Sequence, residues 1–87
     1  MPIIWIPPSI QNLTGGKDKV RVKGKTVRHA LDDLNEVYPG VKERLFKGDK
    51  LDPLIAIAVD GQLTNKRIFH PLSEESEIRL LPLFEGG

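Results

Sequence analysis

Apolar and polar residues alternate in several short segments of the chain, which is the pattern expected of β-strands. Residues 3–6 are apolar throughout, as in a central strand that is covered on both faces. Pro7 and Pro8 follow, and proline cannot donate a hydrogen bond to a neighbouring strand, so the first strand is predicted to end there. Residues 19–23 alternate strictly between basic and apolar side chains, which predicts a half-exposed strand pairing back on the first.

One segment has a helical period instead, and a helix is predicted over residues 27–38 with Thr26 as its N-cap. Apolar residues occur there at positions i, i+3, i+4, i+7 and i+10 and form one stripe. This stripe consists of Val27, Ala30, Leu31, Leu34 and Val37. Pro39 and Gly40 are expected to end the helix, and residues 41–46 to add a short helical turn with Val41 and Leu45 facing inward.

The second half of the chain is predicted to contain three more strands. Residues 54–59 form an apolar strand followed by a tight turn at Asp60 and Gly61. A short, irregular strand is expected near residues 65–70, and the last strand at residues 77–83. The order strand, strand, helix, strand, weak strand, strand predicts an α+β fold in which one helix packs on a mixed sheet. With its hairpin, crossover helix and closing strand, this order favours a β-grasp (ubiquitin-like) roll.

Composition limits the chemistry that the chain itself can carry. Its 87 residues suit one domain, predicted over residues 1–85, with residues 86–87 as a flexible tail. The absence of cysteine excludes disulfides, thiolate metal sites and a thiol nucleophile, and two distant histidines argue against a metal site. The longest apolar run is too short for a membrane span and no signal peptide is recognised, so a cytoplasmic protein without membrane contact is expected.

The last two residues, Gly86 and Gly87, have no obvious role in folding. At roughly 7% glycine per position, chance would place two glycines there in about one chain in two hundred. Glycine has no Cβ, so such an end can extend through a narrow tunnel of another protein, where its only chemistry is the terminal carboxylate. That carboxylate becomes electrophilic after adenylation by ATP, and the chain has no phosphate-binding loop of its own. No bound cofactor is therefore expected, and ATP and magnesium are assigned to a partner.

In combination, these features resemble the MoaD/ThiS sulfur carriers, which are prokaryotic relatives of ubiquitin. The resemblance covers nearly the whole chain and includes the strand and turn at residues 56–61 and the acidic turn at residues 73–76. It also includes the His70-Pro71-Leu72 segment and the end of the chain at residues 81–87. Within the family, several features resemble the CysO type of cysteine synthesis, with the MoaD type next. They are Pro8, Thr14-Gly15-Gly16, Tyr38-Pro39-Gly40 and Glu43-Arg44-Leu45.

The resemblance implies a co-substrate that carries sulfur, not an enzyme. An E1-like adenylating and sulfurtransferase enzyme would convert the Gly87 carboxylate to an acyl-adenylate and then to a thiocarboxylate. In the CysO-type route the acceptor is a pyridoxal-phosphate cysteine synthase, and a zinc peptidase acts later; in the MoaD-type route the acceptor is the large subunit of molybdopterin synthase. Two alternatives stay open. One is a protein modifier conjugated to lysine through Gly87, and the other is a non-catalytic β-grasp binding module.

The last strand also predicts a partner surface, because side chains alternate between the two faces of a sheet. Ile78 and Leu80 should face the helix, which leaves an outward apolar patch beside the tail. Its predicted members, as partner-binding residues, are Ala56, Ala58, Leu81, Leu83 and Phe84.

Two other features are interpreted as structural. Residues 17–28 contain six basic residues and one acid, but they include no aromatic side chain for base stacking. A solvated strand is therefore expected there, without nucleic-acid binding. Trp5 lies in the predicted central strand and is expected to belong to the core.

Overall fold

The structure is a computed structural model, and it describes residues 1–83. It contains seven strands, two α-helices and two 3-10 helices in that range. The strands are β1 (Ile3–Trp5), β2 (Lys19–Arg21), β3 (Phe46–Lys47), β4 (Lys50–Leu51), β5 (Ile55–Val59), β6 (Gln62–Leu63) and β7 (Glu77–Pro82). The helices are α1 (Val27–Val37) and α2 (Val41–Leu45), and the 3-10 helices span Pro8–Thr14 and Arg67–Phe69.

Five of the strands form one mixed sheet with the order β2-β1-β7-β5-β6. The first hairpin is antiparallel, and β7 lies between β1 and β5, parallel to β1 and antiparallel to β5. The strands β3 and β4 pair separately with each other. Parallel first and last strands at the centre of the sheet, with a helix crossing one face, define the β-grasp fold that the element order predicts. The prediction is confirmed.

Helix α1 covers one face of this sheet. The Thr26 side chain caps it by accepting a hydrogen bond from the amide of His29 at 3.3 Å. Four members of the predicted stripe are completely buried, but Val37 is 62% exposed, so its assignment to the stripe is wrong. Val37 lies ten residues after Val27, and at 3.6 residues per turn this directs its side chain about 80° away from that of Val27. The short helix α2 is confirmed, with Val41 and Leu45 buried.

The core lies between α1 and the inward face of the sheet. Alternate residues of β5 and β7 contribute to it: Ile55, Ile57, Val59, Ile78 and Leu80. Each of these side chains is at most 6% exposed. The inward and outward faces predicted for the last strand are therefore correct. None of the helices within residues 1–83 is long and apolar enough to cross a membrane.

The segment at residues 65–70 is not the short strand expected from the sequence. The strand after the turn at Asp60 and Gly61 comes earlier, at β6, and Arg67–Phe69 is a 3-10 helix. Both turn residues have positive φ, +52° and +83°, as a tight two-residue hairpin requires. Local hydrogen bonds then close the 3-10 turn, from Phe69 N to Lys66 O at 2.9 Å and from His70 N to Arg67 O at 3.2 Å.

Candidate functional site

The chain leaves the sheet at the end of β7, where the candidate site begins. The amide of Leu83 donates to the carbonyl of Leu54 at 2.7 Å, which continues the pairing of β7 with β5 by one residue. Antiparallel ladders alternate between hydrogen-bonded and non-hydrogen-bonded pairs, so the neighbouring pair Ile55–Pro82 needs no amide donor. Pro82 is therefore accommodated without loss of a ladder bond, and β7 stays paired up to the tail.

The outer face of the sheet beside this exit is apolar in part. Strand register places Leu81 opposite Ala56, and both contribute exposed or half-exposed surface. Leu81 is 39% exposed and Leu83 is 67% exposed. Ala58 is only 6% exposed, so its expected place in an open patch is wrong. Its small side chain lies between longer neighbours, because it pairs with Arg79 on one side and with Leu63 on the other.

Three predicted site residues, Phe84, Gly86 and Gly87, lie outside the described residues. Sequence reasoning also missed two exposed leucines at this face and edge. Leu63 pairs with Ala58 and is 71% exposed, and Leu54, the partner of Leu83, is 47% exposed. The signal for Leu63 is its position two residues after Gly61, on the short strand that must fold back on β5.

Trp5 is on this outer face and not in the core, contrary to the sequence prediction. Its neighbour Ile4 points into the core with no exposed surface, and successive side chains of a strand point to opposite faces. The Arg79 guanidinium carbon lies 4.3 Å from the centre of the Trp5 ring, and Lys19 Nζ lies 5.3 Å from it. The indole nitrogen donates to Glu77 Oε1 at 2.8 Å. The Trp5 ring is thus held on the outer face by two cations and one hydrogen-bond acceptor.

The sequence model of the ThiS family matches residues 4–87, nearly the entire chain. The chain belongs to the ThiS family. This confirms the MoaD/ThiS family resemblance predicted from the sequence.

Solved structures resemble this ThiS-family chain over nearly its whole length. A chain of the Amycolatopsis orientalis BexX/CysO complex is 28% identical, with 100% of each chain covered and a TM-score of 0.89. CysO of Mycobacterium tuberculosis is 24% identical, with 94% of this chain and 98% of that chain covered and a TM-score of 0.86. Small archaeal modifier protein 1 of Haloferax volcanii is 24% identical, with coverages of 99% and 98% and a TM-score of 0.82. The comparison with curated proteins found no match.

The ThiS-family sheet therefore presents two adjoining regions on its outer face. One is apolar and contains Ala56, Leu81 and Leu83; the other carries Lys19 and Arg79 on Trp5. Within residues 1–83, the ion pairs join Met1 to Glu74 and Lys42 to Asp32, so no described carboxylate pairs with Lys19 or Arg79. Both cations are exposed to solvent at the protein surface.

Histidines and carboxylates do not cluster in the described part of this ThiS-family protein. No group of three or more potential ligands that could hold a metal ion occurs within residues 1–83. Each histidine contacts a threonine instead: His29 Nδ1 lies 3.1 Å from Thr26 Oγ1, and His70 Nδ1 lies 2.7 Å from Thr64 Oγ1. These contacts belong to the cap of α1 and to the loop after β6.

Proposed function

We propose that this ThiS-family protein is a sulfur carrier that acts as a co-substrate, with the Gly87 carboxylate as its reactive group. The observation that carries the proposal is the family match, which extends through residue 87 and so includes Gly86 and Gly87. The end of β7 supports the proposal. The last backbone hydrogen bond along the described chain is made by Leu83, and four residues follow it in the sequence. Fully extended, four residues reach about 13–14 Å, enough to enter a partner's active site.

The proposed cycle begins with attack of the Gly87 carboxylate on the α-phosphate of ATP. This forms the acyl-adenylate and releases pyrophosphate, with the nucleotide and magnesium held by the adenylating partner. A sulfide-level nucleophile, hydrosulfide, then attacks the acyl carbon, the bond from that carbon to the phosphate oxygen breaks, and AMP leaves. Loss of the S–H proton to solvent gives the thiocarboxylate, with no change of oxidation state. The carrier lacks cysteine, so no internal thiol competes for the activated acyl group.

The proposed docking surface for the adenylating enzyme is the outward face formed by Ala56, Leu81 and Leu83. An exposed apolar patch next to a reactive tail is typical of a partner site. The similar chain from Amycolatopsis orientalis was solved in a complex named BexX/CysO, which supports a carrier that docks on a protein partner.

For the sulfur acceptor we propose the CysO-type route first, in which the acceptor is a pyridoxal-phosphate cysteine synthase and a zinc peptidase releases the product. Its support is the 28% identity to a chain of the BexX/CysO complex across both chains. Transfer to the large subunit of molybdopterin synthase is the second route. The two are distinguished by mixing the thiocarboxylate form with each acceptor enzyme and detecting which one consumes it.

The test of the proposed function is ATP–pyrophosphate exchange with the adenylating enzyme of the same organism. The wild-type chain should support exchange, and a variant lacking Gly87 should not. After addition of a sulfur donor, intact-protein mass spectrometry should show one oxygen replaced by sulfur. Absence of exchange with the wild-type chain would overturn the proposal. If cell lysate instead contains the chain in isopeptide linkage to lysines, the activated Gly87 serves a protein modifier.

A further inference from the structure

Arg67 connects the loop after β6 to the start of β5, beside the residue pair Leu54–Leu83 at which the chain leaves the sheet. Its Nη1 donates to the carbonyl of Ile55 at 2.8 Å, and its Nη2 donates to the carbonyl of Asp52 at 3.0 Å. The backbone of Arg67 has φ of +52°, a left-handed conformation that is uncommon for residues other than glycine. Such a conformation persists where surrounding contacts determine it, and it is often found near functional sites.

The carbonyl of Ile55 has no strand partner, which explains why a side chain binds it. Ile55 and Pro82 form a non-hydrogen-bonded pair, so this carbonyl points away from β7 and toward the β6 side of β5. There, β6 pairs only with Ala58 and Val59, and Thr64 N donates to the carbonyl of Ile57 at 3.0 Å. At Ile55 the Arg67 guanidinium takes the place of the missing strand.

Asp52 braces the same turn from the inside. Its side chain is 9% exposed, and its Oδ1 accepts a hydrogen bond from the amide of Leu54 at 2.9 Å. Its carbonyl accepts from the amide of Ile55 at 3.0 Å in addition to Arg67. The turn is therefore closed by four hydrogen bonds. These bonds fix the position of Leu54, whose carbonyl accepts a hydrogen bond from the amide of Leu83.

We propose that Arg67 and Asp52 are positioning residues for the reactive tail: they hold the Leu54 carbonyl in place, and the Leu54–Leu83 hydrogen bond then sets the direction in which the tail leaves the sheet. This inference rests on the proposed function. The four residues up to Gly87 start from Leu83 and span at most about 13–14 Å, so a displacement of Leu83 shifts the region that the Gly87 carboxylate can reach. Misplacement of a reacting group by about 1 Å can lower a rate by about a hundredfold.

The test compares Arg67→Gln with Arg28→Gln, which removes an equal charge from an exposed site in the first turn of α1. Hydrogen exchange at the Leu83 amide, followed by NMR, should accelerate at least about tenfold in Arg67→Gln, since its hydrogen bond opens more often. Amides of core residues such as Leu80 should keep their wild-type exchange rates, and Arg28→Gln should behave as wild type throughout. With the adenylating enzyme, kcat should fall about tenfold while KM stays within about twofold, because docking residues are intact.

A second pair of variants keeps the test decisive if Arg67→Gln folds poorly. Asp52→Asn retains an oxygen acceptor for the Leu54 amide and should preserve Leu83 protection and kcat, whereas Asp52→Ala should lose both. Unchanged Leu83 exchange and kcat in Arg67→Gln and Asp52→Ala would overturn the inference. So would acceleration at all amides alike, which marks a purely structural role. Failure of the proposed function can be told apart from failure of this inference. In that case the wild-type chain would show no adenylation, while hydrogen exchange at Leu83 would still measure the effect of the Arg67 and Asp52 contacts.

Discussion

The Arg79 guanidinium lies on the face of Trp5, 4.3 Å from the ring centre, because strand pairing places the two residues opposite each other on β7 and β1. Lys19, the partner of Trp5 on β2, approaches the same ring at 5.3 Å. Arg79 also lies two residues before Leu81 on the same face of β7, so this row adjoins the apolar patch. The docking surface proposed for the adenylating enzyme is therefore continuous with a row of cations on an aromatic ring.

Trp5 should report docking directly, since it is the only tryptophan of the chain. A sample labelled with 5-fluorotryptophan has one fluorine resonance, which we expect to shift or broaden when the unlabelled adenylating enzyme is added. The physical reason is that a partner covering Leu81 on β7 also approaches the half-buried ring on the neighbouring strand β1. An unchanged resonance, in a sample for which exchange activity proves that the complex forms, would place docking elsewhere.

Leu80 and Leu81 should respond in opposite ways to aspartate, because consecutive strand residues face opposite sides of the sheet. Leu80 is 4% exposed and packs in the core, so Leu80→Asp buries an unpaired carboxylate and should lower the free energy of unfolding by roughly 3–5 kcal/mol. Leu81 is 39% exposed, so Leu81→Asp should keep a near-normal Tm and weaken partner binding. Thermal melts and adenylation assays on both variants measure this contrast. Loss of folding in Leu81→Asp with normal binding by Leu80→Asp would contradict the assigned faces.

The parts of this structure that follow a local pattern were predictable from the sequence. The period of two in the last strand separates Leu80 from Leu81, and the Asp60-Gly61 pair marks a hairpin turn whose positive φ angles the structure confirms. The order of strands around a single amphipathic helix was enough to indicate the β-grasp fold. Each of these features depends on neighbouring residues, so no knowledge of distant contacts was required.

Several features that the sequence did not predict correctly depend on contacts between distant segments; the exposure of Val37, by contrast, follows from the helical period alone. Trp5 belongs to a segment that is apolar at every position, so no alternation distinguishes its outward face from that of Ile4. The burial of Ala58 follows from its longer cross-strand neighbours, which only the register reveals. The contacts of Arg67 join backbone carbonyls 12 and 15 residues away, and no local pattern predicts them. Likewise, the basic segment contains no aromatic residue, yet strand pairing brings Trp5 beside Lys19.

Gly24 should be intolerant of any side chain because it packs against the backbone of α1. A Cβ added there would lie 2.5 Å from Ala30 N and 2.9 Å from the carbonyl carbon of His29. These are backbone atoms and cannot move aside, so Gly24→Ala should lower the free energy of unfolding by about 3 kcal/mol. Gly16→Ala is the comparison: no heavy atom lies within 4 Å of the added Cβ, and only backbone strain at φ of +85° is expected. That strain costs about 1–2 kcal/mol. Urea denaturation measures both, and equal losses would contradict the close contact.

Changes at the end of the tail should leave folding intact and abolish activation. Within residues 1–83, the buried apolar core extends no further along the chain than Leu80, so deleting Gly87 or adding one alanine after it should leave Tm unchanged. Either change moves the terminal carboxylate by about 3.3–3.6 Å relative to Leu83, which is enough to remove it from attack on the α-phosphate of ATP. Both variants should therefore lack exchange activity and form no thiocarboxylate, as measured by intact-protein mass spectrometry.

The control for this prediction is binding. Unchanged binding of both variants to the adenylating enzyme, followed through the fluorine resonance of Trp5, would show that only the reacting end is affected. Normal thiocarboxylate formation by the extended chain, without removal of the added alanine, would contradict the carrier mechanism.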